Sequence, residues 1–296
     1  CLPRYSCYNL VMERVRIKSP AKLNLTLQIT GSEGGYHMLD SVVTTIDIFD
    51  IVTVKRRSDR RVTISMRGLG SENIPRERNN AVRAAEFFVE EFSVCGADIC
   101  IDKNIPIGAG LGGSSADAAG VLSALSALYD IPAEHAEEIA DRVGSDTRYL
   151  MRGGFARLSG RGNIIEHISS PLKLNFLIIA PESGISTAEC YKKYDELPDG
   201  PRFNSQNAQS ALERGDCGAL CGSFYNALYA PARQLNPDAE RALFEALSFS
   251  PDGACMTGSG SAAFAVFEND TLCRWAMSRY SGSYRTFCAK TYRPRT

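Results

Sequence analysis

The chain has few of the features that mark membrane, nucleic-acid-binding or zinc proteins. No apolar run approaches the roughly 18 residues that a membrane-spanning helix needs. The formal net charge is −1, so the basic surplus typical of nucleic-acid binders is missing. Only three histidines occur, and the ten cysteines form no Cys-x-x-Cys pair. The sequence therefore predicts no membrane or nucleic-acid partner and no zinc site, and it favours reduced thiols and a cytoplasmic location.

What is present fits an ordinary globular protein of about two domains. The 296 residues are 44% apolar and 23% charged. Residues 1–11 lack the basic and apolar stretches of a secretory signal, so we expect them to be an extension of unknown role and Met12 to be the true start. We expect a first domain at 12–170 and a second at 171–296, which opens with an apolar strand at Leu172–Ala180.

Hydrophobic periodicity predicts a mixture of strands and helices. Leucine and isoleucine alternate with polar residues over Leu23–Thr30, which predicts a half-buried strand. Apolar stripes at helical spacing begin near Asn79, after the glycines at 108–113 and at Pro132. The predicted fold class is α+β, with two domains that share a cleft. Further strands are expected at Ile48–Val54, Val62–Met66, Ala262–Phe267 and Arg285–Tyr292.

The strongest local signal is a glycine-rich segment, Gly108–Ser115, which we call the phosphate loop. Four of its first six residues are glycine, so the backbone can approach an anion closely and adopt positive φ. Ser114 and Ser115 then open a helix, whose free N–H groups and positive dipole end point at the same place. Their hydroxyls can also bind phosphate or help to hold a magnesium ion. This combination predicts a polyphosphate-binding site.

Three other interpretations of the loop are weaker. Gly108, Gly110 and Gly113 satisfy the G-x-G-x-x-G dinucleotide pattern, which would predict a nicotinamide-binding oxidoreductase. That pattern needs a strand that runs straight into the loop, whereas Lys103–Pro106 intervenes here. A P-loop is excluded because no Gly-Lys-Ser/Thr follows the glycines. A flexible turn that caps a helix remains the structural alternative.

Three motifs in chain order resemble those of the GHMP kinases: Ser19–Leu25, the phosphate loop and Met256–Phe267. Gly35-Tyr36-His37, Gly144-Ser145-Asp146 and Ser186–Tyr191 narrow the resemblance to the family of 4-diphosphocytidyl-2-C-methyl-D-erythritol kinases. The similarity runs from about residue 14 to the C-terminus.

The resemblance implies a ribosomal-protein-S5-like N-terminal domain that binds ATP and carries the catalytic groups, followed by a ferredoxin-like C-terminal domain. The implied reaction moves the γ-phosphoryl group of ATP to the 2-hydroxyl of the methylerythritol unit, in the non-mevalonate route to isoprenoid precursors. ATP and Mg²⁺ are the implied cofactors, with Ser115 as a candidate ligand of the ion. The implied partner is the small-molecule substrate alone, and the protein is expected to be a monomer or a homodimer.

The resemblance also implies a role for individual residues. Lys22 and Asp146 are the implied catalytic pair, in which the lysine favours the ionised form of the acid. Cytosine is expected between the rings of Tyr36 and Tyr191, with His37 at its edge. The implied ATP-binding residues are Asn79, Pro106, Gly108, Gly110, Leu111, Gly112, Gly113, Ser114 and Ser115; those that bind the substrate are Asn24, Tyr36, His37 and Tyr191; and those that support the loop are Gly258, Ser259 and Gly260.

Each role has a plainer structural alternative. In these alternatives, Asp146 is only a turn residue, Lys22 and Asn24 lie on a strand face in contact with solvent, and Asn79 only caps a helix. The two tyrosines are otherwise partly buried core residues. His37 is otherwise a loop histidine.

The sequence departs from the family pattern at three places. Thr147-Arg148 follows Asp146 where the family has an apolar residue and proline, which predicts a looser loop with an added cation. Asn163 stands in place of an acid, and Ser114 in place of a third glycine. The alternatives left open are another GHMP-type kinase, acting on mevalonate, homoserine or a sugar, and a non-catalytic relative.

Overall fold

The computed structural model describes residues 13–71, 74–198 and 200–293, so the predicted extension at 1–11 lies outside the described residues. Its strands are β1 Arg14–Asn24, β2 Thr26–Glu33, β3 Tyr36–Arg56, β4 Val62–Gly68, β5 Ala97–Lys103, β6 Ala156–Gly160, β7 Ile164–His167, β8 Asn175–Ala180, β9 Tyr225–Asn226, β10 Gly253–Met256, β11 Ala263–Phe267 and β12 Arg285–Lys290. Its helices are α1 Asn80–Glu91, α2 Gly113–Tyr129, α3 Glu137–Val143, α4 Thr147–Arg152, α5 Thr187–Asp195, α6 Ser205–Arg214, α7 Cys217–Cys221, α8 Tyr229–Leu235, α9 Pro237–Leu247 and α10 Asp270–Arg279. Across those three ranges, every helix is too short or too polar to cross a bilayer.

The first sheet is organised around β3, which is 21 residues long. β1 runs antiparallel along most of its length, β2 and β6 pair with its first half, and β5 pairs with its last residues. β4 lies at the edge, parallel to β5. α2 packs on β1 and β3 and beside α1, and most of its residues are buried because its sequence is apolar on almost every side. This packing fixes the N-terminal end of α2 against the sheet.

The second sheet has the strand order β10-β11-β8-β12, and every neighbouring pair is antiparallel. With α9 before β10 and α10 before β12, this is the predicted ferredoxin-like arrangement. The α+β fold class is therefore confirmed. β8 begins at Asn175 and not at Leu172, because the Leu172 N–H bonds to Ser170 Oγ in a local turn.

The prediction of a half-buried strand over Leu23–Thr30 is wrong in two respects. The strand is interrupted at Leu25, and the polar side chains of Asn24, Thr26 and Gln28 are buried as well as the apolar ones. The reason is that residues from the second half of the chain cover the polar face. β9 pairs in parallel with β2, Ser205 Oγ lies 2.9 Å from Thr26 Oγ1, and the Asn24 N–H donates to Thr257 Oγ1 at 2.9 Å. This polar face is therefore a contact between the two halves.

Asp146 lies in the short turn that follows α3 and is the residue before α4. The stripe after Pro132 forms a 3-10 turn at Ala133–Ala136 and then α3, and Asp146 is the residue before α4. The Asp146 side chain accepts no capping hydrogen bond from α4. Its carboxylate is therefore free to face the cleft.

Candidate active site

The phosphate loop joins the end of β5 to α2 through a tightly packed turn. Gly110 and Gly112 have φ of 77° and 75°. A Cβ on Gly110 would lie 2.1 Å from the Thr257 carbonyl oxygen, and one on Gly112 would lie 2.8 Å from Lys22 Cγ. Glycine is therefore required at both positions. The two close approaches bring the third motif and the Lys22 side chain directly against the loop.

The N-terminal end of α2 supplies the loop with hydrogen-bond donors. α2 begins at Gly113, and the first main-chain bond that enters it runs from the Ala116 N–H to the Gly112 carbonyl. The N–H groups of a helix's first turn have no partner within the helix, and they lie at the positive end of its dipole. Ser114 and Ser115 belong to this turn and line the adjacent cavity. The arrangement can bind the oxygens of a phosphate.

Lys22 and Asp146 form an ion pair beside the loop. Lys22 Nζ lies 3.3 Å from Asp146 Oδ2, and their side chains are 6% and 27% exposed. The Lys22 N–H donates to the Leu111 carbonyl at 3.0 Å, so the strand and the loop share a main-chain bond. The pair is thus protected from solvent on the lysine side and open to the cavity on the aspartate side.

Asn24 holds the Lys22 ammonium from the other side. Asn24 Oδ1 accepts a hydrogen bond from Lys22 Nζ, and Asn24 Nδ2 donates to Ser41 Oγ at 2.8 Å. Because Lys22 and Asn24 are two residues apart on β1, their side chains lie on the same face of the strand. The expected shared face is confirmed, but it is buried and not solvated.

Aromatic residues line one end of the cavity. The His37 ring stacks on that of Tyr191 at 4.8 Å between centroids, and His37 Nε2 lies 2.7 Å from Asp195 Oδ1. Burial raises the pKa of Tyr191 well above its usual value, and the charge of Asp146 adds to the effect. Tyr36 is exposed, with the Arg161 guanidinium 4.7 Å from its ring centre. These contacts bring the three predicted residues to one end of the cavity, while insertion of a base between the two tyrosines stays a prediction.

Asn79 has a defined local role. Its side chain accepts from the Ala81 N–H at 2.9 Å and so caps α1, which confirms the capping interpretation. Asn79 Nδ2 lies 3.1 Å from Met66 Sδ, and both residues line the cavity. Its contact with a nucleotide stays a prediction.

The predicted residues converge on a single cavity of about 740 Å³. Gly260 is the exception, because its backbone packs behind the turn against Met256 Sδ and Ile185. The site residues that line the cavity are Lys22, Asn24, Tyr36, His37, Asn79, Pro106, Gly108, Gly110, Leu111, Gly112, Gly113, Ser114, Ser115, Asp146, Tyr191, Gly258 and Ser259.

Sequence reasoning missed five charged residues that also line this cavity: Lys103, Asp117, Arg161, Lys192 and Asp195. Asp117 had a signal of its own, since it is an acid in the first half of an otherwise apolar helix. Burial raises the pKa of Asp117 to about 8, against the opposing effect of Lys103. The other four residues stand in segments where charged side chains are common, so the sequence pattern did not distinguish them as site residues.

Two departures from the family pattern have local explanations. Arg148 donates to Glu137 and Asp141 on the surface of α3, at 2.9 and 3.1 Å, so its charge is paired outside the cavity lining. Asn163 Oδ1 accepts from the Arg161 N–H at 3.0 Å in the turn between β6 and β7. The expected loosening after Asp146 is not seen, because Thr147 and Arg148 open α4.

Comparison with known proteins first defines the class. The model of the GHMP kinase N-terminal domain matches residues 79–155, which include the phosphate loop. The crystal structure of L. major mevalonate kinase in complex with R-mevalonate superposes with a TM-score of 0.72 at 16% identity, covering 95% of this chain and 97% of that one. At that identity the likeness shows the fold alone. Fold and loop together are those of the GHMP kinases.

Closer relatives define the family. The 4-diphosphocytidyl-2-C-methyl-D-erythritol kinase of Cutibacterium acnes is 36% identical over 265 residues, covering 85% of this chain and 86% of the relative. That of Shouchella clausii is 32% identical over 282 residues, covering 93% and 92%. A crystal structure of 4-(cytidine 5'-diphospho)-2C-methyl-D-erythritol kinase is 29% identical with a TM-score of 0.76, covering 93% and 98%. The chain belongs to the 4-diphosphocytidyl-2-C-methyl-D-erythritol kinase family.

Proposed function

We propose that this protein transfers the γ-phosphoryl group of ATP to the 2-hydroxyl of 4-diphosphocytidyl-2-C-methyl-D-erythritol, in the non-mevalonate route to isoprenoid precursors. The observation that carries the proposal is the Lys22–Asp146 pair, at 3.3 Å, beside the phosphate loop and in the same cavity as Tyr36, His37 and Tyr191. Family membership at 36% identity supports the same reaction.

ATP would bind with its phosphates on the loop. The N–H groups of the first turn of α2 and the hydroxyls of Ser114 and Ser115 are the donors for the phosphate oxygens. Asn79, Met66 and Ile74 line the adjacent part of the cavity, which suits the base. In this proposal, the described part of residues 12–170 forms the domain that binds ATP and carries the catalytic groups. The described part of residues 171–293 forms the domain that supplies Tyr191.

Phosphoryl transfer asks the protein mainly for positioning and charge neutralisation. The hydroxyl oxygen of the acceptor forms a bond to the γ-phosphorus of ATP, and Asp146 accepts the proton of that hydroxyl. The bond between the γ-phosphorus and the bridging oxygen breaks, and ADP leaves with that oxygen. Lys22 pairs with Asp146 and neutralises charge on the transferred group. Asn24 orients the Lys22 ammonium through the hydrogen bond that it accepts.

The acceptor would be recognised through its cytosine ring. Stacking of a base on an aromatic side chain is worth about 1–3 kcal/mol. Tyr36 and Tyr191 offer such faces, and His37 offers a hydrogen-bonding edge. The exposed Tyr36 ring can move onto a ligand at little cost, whereas Tyr191 is held by α5.

The donor set near the loop suits Mg²⁺. Mg²⁺ prefers oxygen ligands and is commonly held by one or two protein groups together with substrate phosphates. Ser115 Oγ and the Asp146 carboxylate are such groups, and both line the cavity next to the loop. The ion would neutralise charge on the phosphate oxygens.

A different acceptor is the second candidate, because the same fold serves a solved mevalonate kinase. The aromatic end of the cavity favours the cytidine compound, since mevalonate and homoserine have no ring to stack. The proposal extends to a small-molecule substrate as the sole partner, to a cytoplasmic location, and to a monomer or homodimer.

A substrate panel tests the proposal. Purified protein is incubated with ATP and Mg²⁺ and, in parallel, with the cytidine compound, mevalonate or homoserine, and release of ADP is followed. We expect release with the cytidine compound alone. Release with mevalonate or homoserine alone would move the assignment to another kinase of this fold, and no release with any acceptor would favour a non-catalytic relative.

A further inference from the structure

Three ionisable side chains lie buried beneath the phosphate loop, and the proposed chemistry does not use them. They are Asp50 on β3, Lys103 at the end of β5 and Asp117 in α2, and we call them the base cluster. Their side chains are 0%, 2% and 5% exposed, respectively. Charged groups are rarely buried this completely without a specific arrangement of partners.

The base cluster is connected by short hydrogen bonds. Lys103 Nζ donates to Asp50 Oδ2 and, at 2.6 Å, to Asp117 Oδ2. Asp50 Oδ1 accepts from the N–H groups of Asn104 and Ile105, at 2.6 and 2.8 Å. The Lys103 ammonium therefore links two acidic side chains. Asp50 holds the main chain at 104–105, and Asp117 belongs to α2.

This connection lies where the loop segment begins and ends. The chain leaves β5 at Lys103, passes through the phosphate loop and reaches Asp117 in the second turn of α2. A Cβ on Gly113 would lie 3.5 Å from Lys103 Nζ, so the ammonium sits directly behind the loop. Lys103 and Asp117 also line the cavity.

Stability alone does not account for the base cluster. Removing charges from water costs several kcal/mol per ion, and apolar residues of similar volume often stabilise a core as well or better. Asp117 Oδ1 is also buried without a hydrogen-bond partner among the described residues. An apolar set would fill the space, but it could not tie the main chain at 104–105 to α2 by directional bonds.

We propose that Lys103 is a positioning residue for nucleotide binding. By bridging Asp50 and Asp117 it fixes the distance between the two ends of the phosphate loop, and thereby the direction of the loop N–H groups. It acts through the loop and not by contact with the reacting atoms. This inference rests on the proposed function in one respect, namely that the loop binds ATP.

The test measures ATP affinity by calorimetry without acceptor, so it does not depend on the acceptor's identity. Asp117→Ala removes one arm of the base cluster, and Asp117→Asn keeps an oxygen that accepts from Lys103. Asp102→Ala is the matched control, because Asp102 is the neighbouring acid on β5 and pairs with Arg67 on the surface. If Asp117→Ala does not fold, Asp117→Ser is used instead, because the serine side chain is too short for its hydroxyl to reach Lys103 Nζ.

We expect Asp117→Ala to weaken ATP binding about tenfold or more, as loss of a hydrogen bond to a charged group predicts. Asp117→Asn should restore affinity to within about threefold of the starting protein, and Asp102→Ala should bind normally. In the complete assay the KM for ATP should rise while that for the acceptor changes little. Unchanged ATP affinity in Asp117→Ala or Asp117→Ser, or an equal loss in Asp117→Asn, would overturn the proposal. Failure of the unaltered protein to bind ATP would instead refute the proposed function.

Discussion

Replacing Asp146 by asparagine separates the catalytic role of this residue from its structural one. The side chain keeps its shape, and the Lys22 ammonium keeps its hydrogen bond to Asn24 Oδ1. What is lost is the negative charge 3.3 Å from Lys22 Nζ. Because Asp146 is partly exposed and Lys22 retains a partner, we expect the free energy of unfolding to fall by only about 1 kcal/mol. Loss of the general base should lower kcat at least about 100-fold.

The assay follows ADP release at saturating ATP and acceptor, together with thermal unfolding and ATP affinity. Asp141→Asn is the matched control, since Asp141 is a nearby acid that pairs with Arg148 on the surface. We expect that control to keep its kcat, and both variants to bind ATP. A kcat within about threefold of the starting protein in Asp146→Asn would remove this residue from the mechanism.

Three further predictions test the loop, the acceptor end and one departure from the family pattern. Gly110→Ala should weaken ATP binding more than tenfold in calorimetry, because its Cβ would lie 2.1 Å from the Thr257 carbonyl oxygen; normal affinity would refute the close contact. Tyr191→Ala should raise the KM for the cytidine compound by roughly 5- to 150-fold, as loss of one stacking face predicts, with the KM for ATP unchanged. An equal rise in both constants would contradict a role at the acceptor end. Arg148→Ala should change kcat less than twofold and stability by less than about 1 kcal/mol, since its partners lie on the surface; a large drop in kcat would show that its charge reaches the site.

The local signals in the sequence were sufficient for most of the fold. Glycine spacing, serine placement and apolar stripes located the phosphate loop and α2 correctly, because these features depend on a few neighbouring residues. Asn79 was likewise recognisable as a cap, since its side chain bonds two residues ahead. The predicted boundary between domains at 170 and 171 was not tested by these observations and stays a prediction.

Features set by distant parts of the chain were not predictable in the same way. The polar face of Leu23–Thr30 was expected in solvent because alternation is typical of a half-buried strand, but residues 179 and 233 positions away in the sequence cover Thr26 and Asn24. The base cluster joins residues 14 and 53 positions apart, so no spacing rule could connect them. The motif resemblance predicted that Lys22 and Asp146 form a pair. The 3.3 Å distance between Lys22 Nζ and Asp146 Oδ2 depends on how distant parts of the chain pack, so the sequence could not give it.

The short strand β9 restricts how the two sheets can move relative to each other. Tyr225 and Asn226 pair with β2 of the first sheet, and at a separate place the Ile185 N–H donates to the Gly108 carbonyl at 3.2 Å. A wide hinge opening would break main-chain bonds at both places at once. We therefore expect substrates to enter and leave through rearrangement of side chains at the mouth, such as Tyr36, while the backbone around the nucleotide keeps its shape throughout turnover.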